Sequence, residues 1–265
     1  MCGYKVREWP GGDVMSAAAE VRRATTPQDL FQAAAEELIR AANDAVAQRG
    51  RFTIALSGGS TPRNLYTLIA ANASATLPWD QMFFFWGDER HVPLDDAESN
   101  YRMVKESLLS SKAPIPPANI FPVPAENPDV SAAAEAYEQT IRKFYGLKPG
   151  EFPRFDLILL GMGPDGHTAG LFPETQALQE KSRLVVANWV EKLKTSRITF
   201  TLPVLNAARC VAFLVSGIDK APALHEIFEG NAASDKYPSK LVHPSEGRLI
   251  WFVDRAAASE LSTAA

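Results

Sequence analysis

The fold and the candidate site are both predicted by one stretch, Phe155-Asp-Leu-Ile-Leu-Leu-Gly-Met-Gly-Pro-Asp-Gly-His-Thr-Ala-Gly-Leu-Phe172. It begins with an apolar run, Leu157 to Leu160, which is typical of a strand buried on both faces. Glycines and a proline then break the run and predict a tight turn that carries Asp165 and His167. Because ligands bind at the carboxyl ends of strands in open α/β sheets, we interpret these two residues as a candidate base and the group that orients it.

The same turn allows two other interpretations. Asp165 could cap a following helix, with His167 as an ordinary polar residue of its first turn. The segment Gly161-Met-Gly163-Pro-Asp-Gly166 also matches the G-x-G-x-x-G fingerprint of dinucleotide-binding proteins. Pro164 removes a backbone donor from that loop, and the next predicted strand ends at Val190, later than the fingerprint places its acidic residue. The dinucleotide match is therefore weak.

Composition limits the kind of protein. A chain of 265 residues, 46% of them hydrophobic, can form one large α/β domain or two small ones. No boundary in the sequence demands two, so we predict a single domain over residues 1–265. The net charge of −4 argues against a general nucleic-acid binder, but it leaves room for a local cluster of cations around an anionic substrate.

Cysteine usage and hydropathy set further limits. Cys2 and Cys210 offer neither a disulfide framework nor the spacing of metal ligands. No apolar stretch reaches the roughly 18 residues of a membrane span, and the N-terminus lacks the core of a signal peptide. These patterns predict a soluble, cytoplasmic protein that binds neither a membrane nor nucleic acid.

A second strand and turn predict an anion site. The strand runs from Phe52 to Leu56, and the turn Ser57-Gly-Gly-Ser-Thr-Pro62 leads from it into a helix. Backbone N–H groups converge in such a turn, and the dipole of the following helix favours a bound anion. The alternative is an ordinary tight turn in which Thr61 caps the helix.

Charged residues follow a third predicted strand. The apolar segment Gln81 to Trp86 leads directly into Gly87-Asp-Glu-Arg-His91. Four consecutive ionisable residues at the carboxyl end of a strand favour a ligand-facing role for this segment. The alternative is a solvated loop with internal ion pairs.

Further cations lie in the second half of the chain. Lys192, Lys194 and Arg197 form the densest positive cluster, between strands predicted over 183–190 and 198–202. They can be either solvated surface or partners of an anion. Lys220 is expected in the first turn of a helix, where the helix dipole disfavours a cation. An anion held nearby would explain its presence there.

The remaining elements predict the fold class. The pattern indicates an N-terminal strand over 5–9, helices over 100–109 and 129–144, and an ordered connection over 110–129. It also indicates strands over 210–215 and 248–253, and a short final helix that Asp254 caps. Roughly seven strands alternate with helices, which predicts an α/β fold with a largely parallel sheet.

Taken together, several segments resemble a known family. In chain order they are Ser57-Gly-Gly-Ser-Thr-Pro62, Trp86-Gly-Asp-Glu-Arg90, Ser99-Asn-Tyr101, Gly161-Met-Gly-Pro-Asp-Gly-His-Thr-Ala169, Phe172-Pro173, Arg197-Ile-Thr-Phe-Thr201 and Ser216-Gly-x-x-Lys-Ala221. This set, within residues 27 to about 255, closely resembles the 6-phosphogluconolactonases of the glucosamine-6-phosphate isomerase/6-phosphogluconolactonase family. The resemblance implies a Rossmann-like sheet flanked by helices on both faces, as in glucosamine-6-phosphate deaminases.

The resemblance also implies an activity and site residues. The activity is hydrolysis of 6-phospho-D-glucono-1,5-lactone to 6-phosphogluconate, the second step of the oxidative pentose phosphate pathway, with no cofactor and no metal. His167 matches the family's general base and Asp165 its neighbour, while Arg90 matches an arginine near the substrate's carbonyl or hydroxyl groups. The positions expected to bind the substrate and its phosphate are Ser57, Gly58, Gly59, Ser60, Thr61, Asp88, Arg197 and Lys220. The expected partner is a small phosphorylated sugar lactone, and the protein is expected to be a monomer or a weak dimer.

Three other functions compete with this one. The sister deaminases continue their motif as D-G-H-I-A-F-N-E, but Phe172 stands here where they have glutamate, and Asp88-Glu89-Arg90 replaces their acid-acid-tyrosine motif. A non-enzymatic phosphosugar sensor on the same fold could lose His167, which this chain keeps. A serine hydrolase using Ser60 would need a G-x-S-x-G elbow, which is absent from the sequence.

Overall fold

The computed structural model describes residues 5–7, 19–72, 77–110 and 113–262. The strands are β1 (Lys5–Arg7), β2 (Ala19–Ala24), β3 (Phe52–Leu56), β4 (Met82–Trp86), β5 (Asp88–Arg90), β6 (Leu157–Gly161), β7 (Val185–Val190), β8 (Thr195–Phe200), β9 (Cys210–Val215) and β10 (Arg248–Asp254). The α-helices are α1 (Pro27–Arg49), α2 (Ser60–Asn72), α3 (Asn100–Val104), α4 (Val130–Tyr145), α5 (Leu202–Ala207) and α6 (Ala221–Phe228).

The main sheet has seven strands in the order β1-β2-β10-β9-β6-β3-β4. Every neighbouring pair is parallel except β1 with β2. Strands β3 and β9 are buried at every position. Because successive side chains point to opposite faces of a sheet, both faces must be covered. The predicted α/β class, with a largely parallel sheet flanked by helices, is confirmed.

The order of the strands reverses beside β3. Strand β4 follows β3 on one side, whereas β6, the next strand of this sheet along the chain, lies on the other side. Ligands of doubly wound sheets bind at such a switch point, in the crevice beyond the carboxyl ends of the strands. The loops after β3 and β6 emerge there side by side, and a Cβ on Gly161 would lie 4.0 Å from the carbonyl oxygen of Gly58. The fold therefore brings together the two turns that the sequence singled out.

A small antiparallel sheet, β5-β8-β7, carries the charged segment after β4. The sequence pattern predicts no strand over Asp88 to Arg90, but these residues form β5 because β8 pairs with them. Arg90 lies opposite Arg197 in this pairing. Strand β8 begins at Thr195, earlier than predicted, because its first residues pair with the end of β7. Both arginines are therefore residues of paired strands.

The connection between α3 and α4 packs into the core as predicted. Val123 is buried, and the backbone N–H of Phe121 donates to the carbonyl of Phe84 at 2.9 Å. The Phe121 ring stacks on Phe85, with centroids 4.7 Å apart. Residues 111–112 of this connection lie outside the described residues.

Near the two ends of the chain, one strand was missed, one predicted helix does not form, and one predicted strand is only partly described. Strand β2 was not predicted, because its Glu20, Arg22 and Arg23 hide the alternation of the buried Ala19 and Val21. The final helix does not form: the Asp254 carboxylate accepts the N–H of Ala257 at 2.8 Å, as a cap would, but the chain continues in turns. The N-terminal strand is described only for residues 5–7, and residues 8 and 9 lie outside the described residues.

Candidate active site

The loop after β3 is held rigidly at the start of α2. The hydroxyl of Tyr66 accepts the N–H of Ser57 and donates to its carbonyl, both at 3.0 Å. Gly59 has φ +102, a backbone conformation that favours glycine. A Cβ on Gly58 would lie 1.9 Å from Oδ1 of Asn100, so glycine is required for this close approach. Helix α2 begins at Ser60, which places Thr61 inside its first turn, and the alternative of Thr61 as a cap is wrong.

Asp165 binds His167 rather than capping a helix. His167 Nδ1 lies 2.5 Å from Oδ1 of Asp165, which also accepts the backbone N–H of His167 at 3.2 Å. No helix begins in the described residues directly after this turn. A carboxylate can only accept, so the Nδ1 atom of a neutral imidazole carries the proton and Nε2 keeps its lone pair. Among the described residues, Nε2 has no hydrogen-bond partner, which suits it to accept a proton from a ligand or water.

The ring of His167 stacks on Phe172, with centroids 4.1 Å apart and planes 16° apart. Burial lowers the pKa of His167 to about 4; Asp88 opposes this, and Lys220, Arg197 and Arg90 lower the pKa further. A carboxylate two residues away would by itself raise this pKa, but burial and the three cations outweigh it. The imidazole is therefore neutral at neutral pH, which is the form that can act as a base.

In the small sheet, Asp88 lies near two arginines, Arg90 and Arg197. Asp88 and Arg197 are buried, and Arg90 is half-buried. Burial raises the pKa of Asp88, although Arg90 and Arg197 favour its charged form. The Nε atom of Arg90 is buried and has no hydrogen-bond partner among the described residues. A buried guanidinium N–H without a partner is costly, and a bound anion or carbonyl would satisfy it.

Glu89 holds the backbone of β5 and α3 next to Asp88 and Arg90. Its carboxylate accepts the backbone N–H groups of Asn100 and Tyr101, both at 2.7 Å, and of Arg90 at 2.8 Å. Burial raises the pKa of Glu89 to about 7, and these three donors oppose the rise. The carboxylate thus fixes the start of α3 against β5, and so places Asn100 beside the loop after β3. No role for Glu89 was predicted from the sequence.

The predicted positive cluster separates in space. Arg197 points inward near Asp88, whereas Lys194 is exposed and pairs with Glu191. Lys192 forms an ion pair with Asp165, behind the histidine. Lys220 lies in a 3₁₀ turn (Ile218–Lys220) just before α6, rather than within the helix, and its Nζ is 2.7 Å from Asp219.

One cleft, of about 180 Å³, collects most of the predicted site residues. It is lined by Ser57, Gly58, Gly59, Ser60, Thr61, Asp88, Arg90, His167 and Lys220. Asp165 and Arg197 do not line it: the first lies behind His167, and the second is buried in β8. The cleft also includes Asn100 and Ser216, which were not predicted as site residues although both belong to the quoted motifs. Asn100 Nδ2 donates to the carbonyl of Asp88 at 3.0 Å, and Ser216 Oγ donates to Asp254 at 2.5 Å.

Fold and cleft together define a class of protein: an α/β protein with a glycine-rich loop at a helix N-terminus and a histidine–aspartate pair at one sheet edge. The family model described as glucosamine-6-phosphate isomerases/6-phosphogluconolactonase matches residues 25–251. The chain belongs to this family, and the prediction made from its motifs is confirmed.

Individual relatives agree with this assignment. A 6-phosphogluconolactonase of Nostoc sp. is 50% identical over 220 residues, which cover 82% of this chain and 88% of that protein. One of Synechocystis sp. is 46% identical, with the same coverage of 82% and 88%. The solved structure of 6-phosphogluconolactonase from Trypanosoma cruzi aligns with a TM-score of 0.82 at 31% identity, covering 91% of this chain and 96% of that one.

Two features are absent from the described residues. None of their helices is both long and apolar enough to cross a bilayer. No group of three or more histidine, cysteine, aspartate or glutamate side chains in these residues is arranged to hold a metal ion. The single domain, the cytoplasmic location and the monomeric or weakly dimeric state stay predictions.

Proposed function

We propose that this protein hydrolyses 6-phospho-D-glucono-1,5-lactone to 6-phosphogluconate, with His167 as the general base. The relatives named above already identify the protein as a lactone-hydrolysing enzyme. One observation carries the finer proposal: the cleft holds the Gly58–Thr61 loop, Lys220 and Arg90 together with a histidine whose Nδ1 is bound by Asp165. The reaction would be the second step of the oxidative pentose phosphate pathway.

The phosphate is assigned to the loop after β3. Backbone N–H groups at the start of α2, a helix of 13 residues, and the helix dipole favour a negative charge there. Lys220 lines the same cleft and supplies a full positive charge. Arg197 does not line the cleft, so we assign it a supporting electrostatic role through Asp88 and Arg90 rather than direct contact.

In the proposed reaction His167 acts first as a general base and then as a general acid. Nε2 of His167 accepts a proton from water as the water oxygen attacks C1 of the lactone. The bond between C1 and the ring oxygen then breaks, and the imidazolium returns the proton to that oxygen, which becomes the C5 hydroxyl of the product. Asp165 keeps the proton on Nδ1 throughout and stabilises the transient imidazolium.

Arg90 is assigned to the developing oxyanion. Attack at C1 places negative charge on the carbonyl oxygen, and preorganised donors in a cleft stabilise such charge strongly. Arg90 has an unpartnered buried Nε and lines the cleft together with His167. The backbone N–H groups of the loop are committed to the phosphate in this arrangement, so the guanidinium is the remaining donor of suitable charge.

Phe172 favours hydrolysis over deamination. The aligned residue of the sister deaminases is a glutamate that helps to orient the histidine for ring opening. Here an aromatic ring stacks on the histidine instead and can accept no proton. The purified protein is therefore expected to hydrolyse the lactone well above the spontaneous rate and to release no ammonia from glucosamine 6-phosphate.

The pH dependence follows from the lowered pKa of His167. Catalysis needs the neutral imidazole, so kcat/KM, which reports the free enzyme, should stay level down to about pH 5 and fall with a midpoint near pH 4. The substrate's phosphate opposes the field of Lys220, so the acid limb of kcat should lie at higher pH than that of kcat/KM. The measurement is initial rate against pH, corrected for spontaneous hydrolysis.

Folding must be followed in the same pH series. An unfolded histidine titrates near 6.5, so the unfolded chain binds its proton first and the folded state loses stability between about pH 6.5 and 4. Circular dichroism at each pH separates this loss from protonation of the base. A midpoint of kcat/KM at or above 6.5 in folded protein would contradict the assigned environment of His167.

No metal is expected to participate. The proposed step obtains its base from His167 and the stabilisation of its oxyanion from Arg90, while Lys220 and the backbone N–H groups of the loop bind the phosphate. Activity should survive exhaustive dialysis against a chelator, with metal content checked by mass spectrometry. A loss that an added divalent ion restores would count against the proposal.

A further inference from the structure

Lys192 makes a contact that the proposed mechanism does not use. It lies in the 3₁₀ turn Glu191–Leu193 between β7 and β8. Its Nζ atom pairs with Oδ2 of Asp165, while Oδ1 of the same carboxylate lies 2.5 Å from Nδ1 of His167. The carboxylate therefore joins the lysine to the proposed base, with one oxygen for each.

A second contact reaches the histidine through Phe172. Nζ of Lys192 lies 5.0 Å from the centroid of the Phe172 ring, within the range of a cation–π interaction. The same ring stacks on His167. Lys192 thus contacts both of the groups that hold the imidazole, the carboxylate at its edge and the aromatic ring at its face.

We propose that Lys192 is a positioning residue for His167: it fixes Asp165 and Phe172 around the imidazole and balances the charge of Asp165, so that the ring keeps one orientation and stays neutral. The inference rests on the proposed function, in which His167 is the general base. It adds a residue from the β7–β8 hairpin, which reaches the histidine from outside the substrate cleft.

Lys192 is placed to act on turnover rather than on substrate binding. It does not line the cleft that contains the loop after β3 and Lys220. Together with Asp165 and Phe172 it lines a separate pocket, to which His167 does not contribute. Because Lys192 and the proposed substrate contacts line different pockets, replacing Lys192 should lower kcat and leave KM nearly unchanged.

Electrostatics give a second signature. The charged groups that face His167 are Asp165 in its own turn, Asp88 and Arg90 of β5, Arg197 of β8, Lys220 before α6 and, through Asp165, Lys192. Removing Lys192 leaves the Asp165 carboxylate unneutralised beside Nδ1. An unopposed carboxylate favours the imidazolium, so the pKa of His167 should rise.

The chain offers a matched control two residues away. Lys194 belongs to the same hairpin but pairs with Glu191, and its side chain is 72% exposed against 51% for Lys192. The test compares Lys192→Met, Lys192→Arg and Lys194→Met with the parent enzyme. Each protein is assayed for kcat and KM on the lactone, and the His167 imidazole is titrated by NMR, with His167→Asn to assign its signal.

Lys192→Met is expected to lower kcat about tenfold at neutral pH, with KM changed less than about twofold. It should raise the pKa of His167 by about half a unit to one unit. Lys192→Arg keeps the positive charge and should recover most of both effects, and Lys194→Met should match the parent.

Two results would overturn the inference. One is a Lys192→Met protein with the parent's kcat and an unmoved His167 titration. The other is an equal loss in Lys194→Met, which would indicate a general effect of the hairpin. If the parent itself fails to hydrolyse the lactone, the proposed function is wrong, but the NMR titration still decides whether Lys192 controls the imidazole.

Discussion

Replacing His167 with asparagine is expected to slow lactone hydrolysis by roughly 10²–10⁴-fold, the usual contribution of a positioned general base. Asparagine can still donate to Asp165, but it has no lone pair of suitable basicity to take a proton from water. The substrate's phosphate contacts lie in the loop after β3 and at Lys220, so 6-phosphogluconate should bind His167→Asn with nearly the parent's affinity.

The control for this variant is His225→Asn. His225 lies on α6, has a side chain that is 42% exposed, and contacts the carbonyl of Glu260 and the carboxylate of Glu229 rather than the cleft. It should hydrolyse the lactone at the parent rate. A folded His167→Asn protein with near-parent activity would mean that His167 is only a structural residue of the turn after β6, and the mechanism proposed here would be wrong.

Lys220→Ala is expected to weaken binding of 6-phosphogluconate by about 1.5–3 kcal/mol, the range for a hydrogen bond to a charged group, which corresponds to roughly 10- to 150-fold in Kd. The lysine lines the cleft and is half-buried, so its charge is only partly screened by water. The free energy of unfolding should change little, because its described partner is the exposed carboxylate of Asp219.

Two controls make the Lys220 experiment specific for the phosphate. Lys194→Ala removes an exposed lysine whose partner is Glu191, and calorimetric titration with 6-phosphogluconate should give the parent's Kd. Glucono-1,5-lactone, which lacks the phosphate, should be hydrolysed equally well by Lys220→Ala and by the parent. A Kd for 6-phosphogluconate that is unchanged in Lys220→Ala would remove this residue from the site.

Local sequence signals predicted the elements that build the site. The apolar run from Leu157 to Leu160 and the glycine turn after it report a buried strand and a tight turn through residues that are adjacent in the chain. The turn from Ser57 to Pro62 does the same for the loop after β3. The family resemblance implied that both turns serve one substrate, and the structure brings them together because parallel strands have their carboxyl ends at one edge.

Strand pairing was harder to predict, since it depends on a distant partner. Asp88 to Arg90 have no apolar alternation, and only their pairing with β8 makes them a strand. The charged residues of β2 hide its pattern in the same way. In both cases long-range hydrogen bonding overrides local propensity.

The electrostatics of the site could not be predicted from sequence spacing. Asp165 stands two residues from His167, and a neighbouring carboxylate alone would raise the pKa of the histidine. The structure adds burial and three cations from other elements, Arg90, Arg197 and Lys220, and these outweigh the carboxylates. The contact between Lys192 and Asp165 joins residues 27 positions apart, so no local sequence pattern predicts it.

The most direct test of the proposed function compares two substrates on the purified parent protein. Conversion of 6-phospho-D-glucono-1,5-lactone is followed by NMR from the lactone carbonyl to the carboxylate, against a sample without enzyme, and ammonia release from glucosamine 6-phosphate is measured in parallel. We expect lactone hydrolysis far above the spontaneous rate and no ammonia. Lactone conversion at only the spontaneous rate, or release of ammonia in its place, would contradict the assignment of this cleft as a lactonase site.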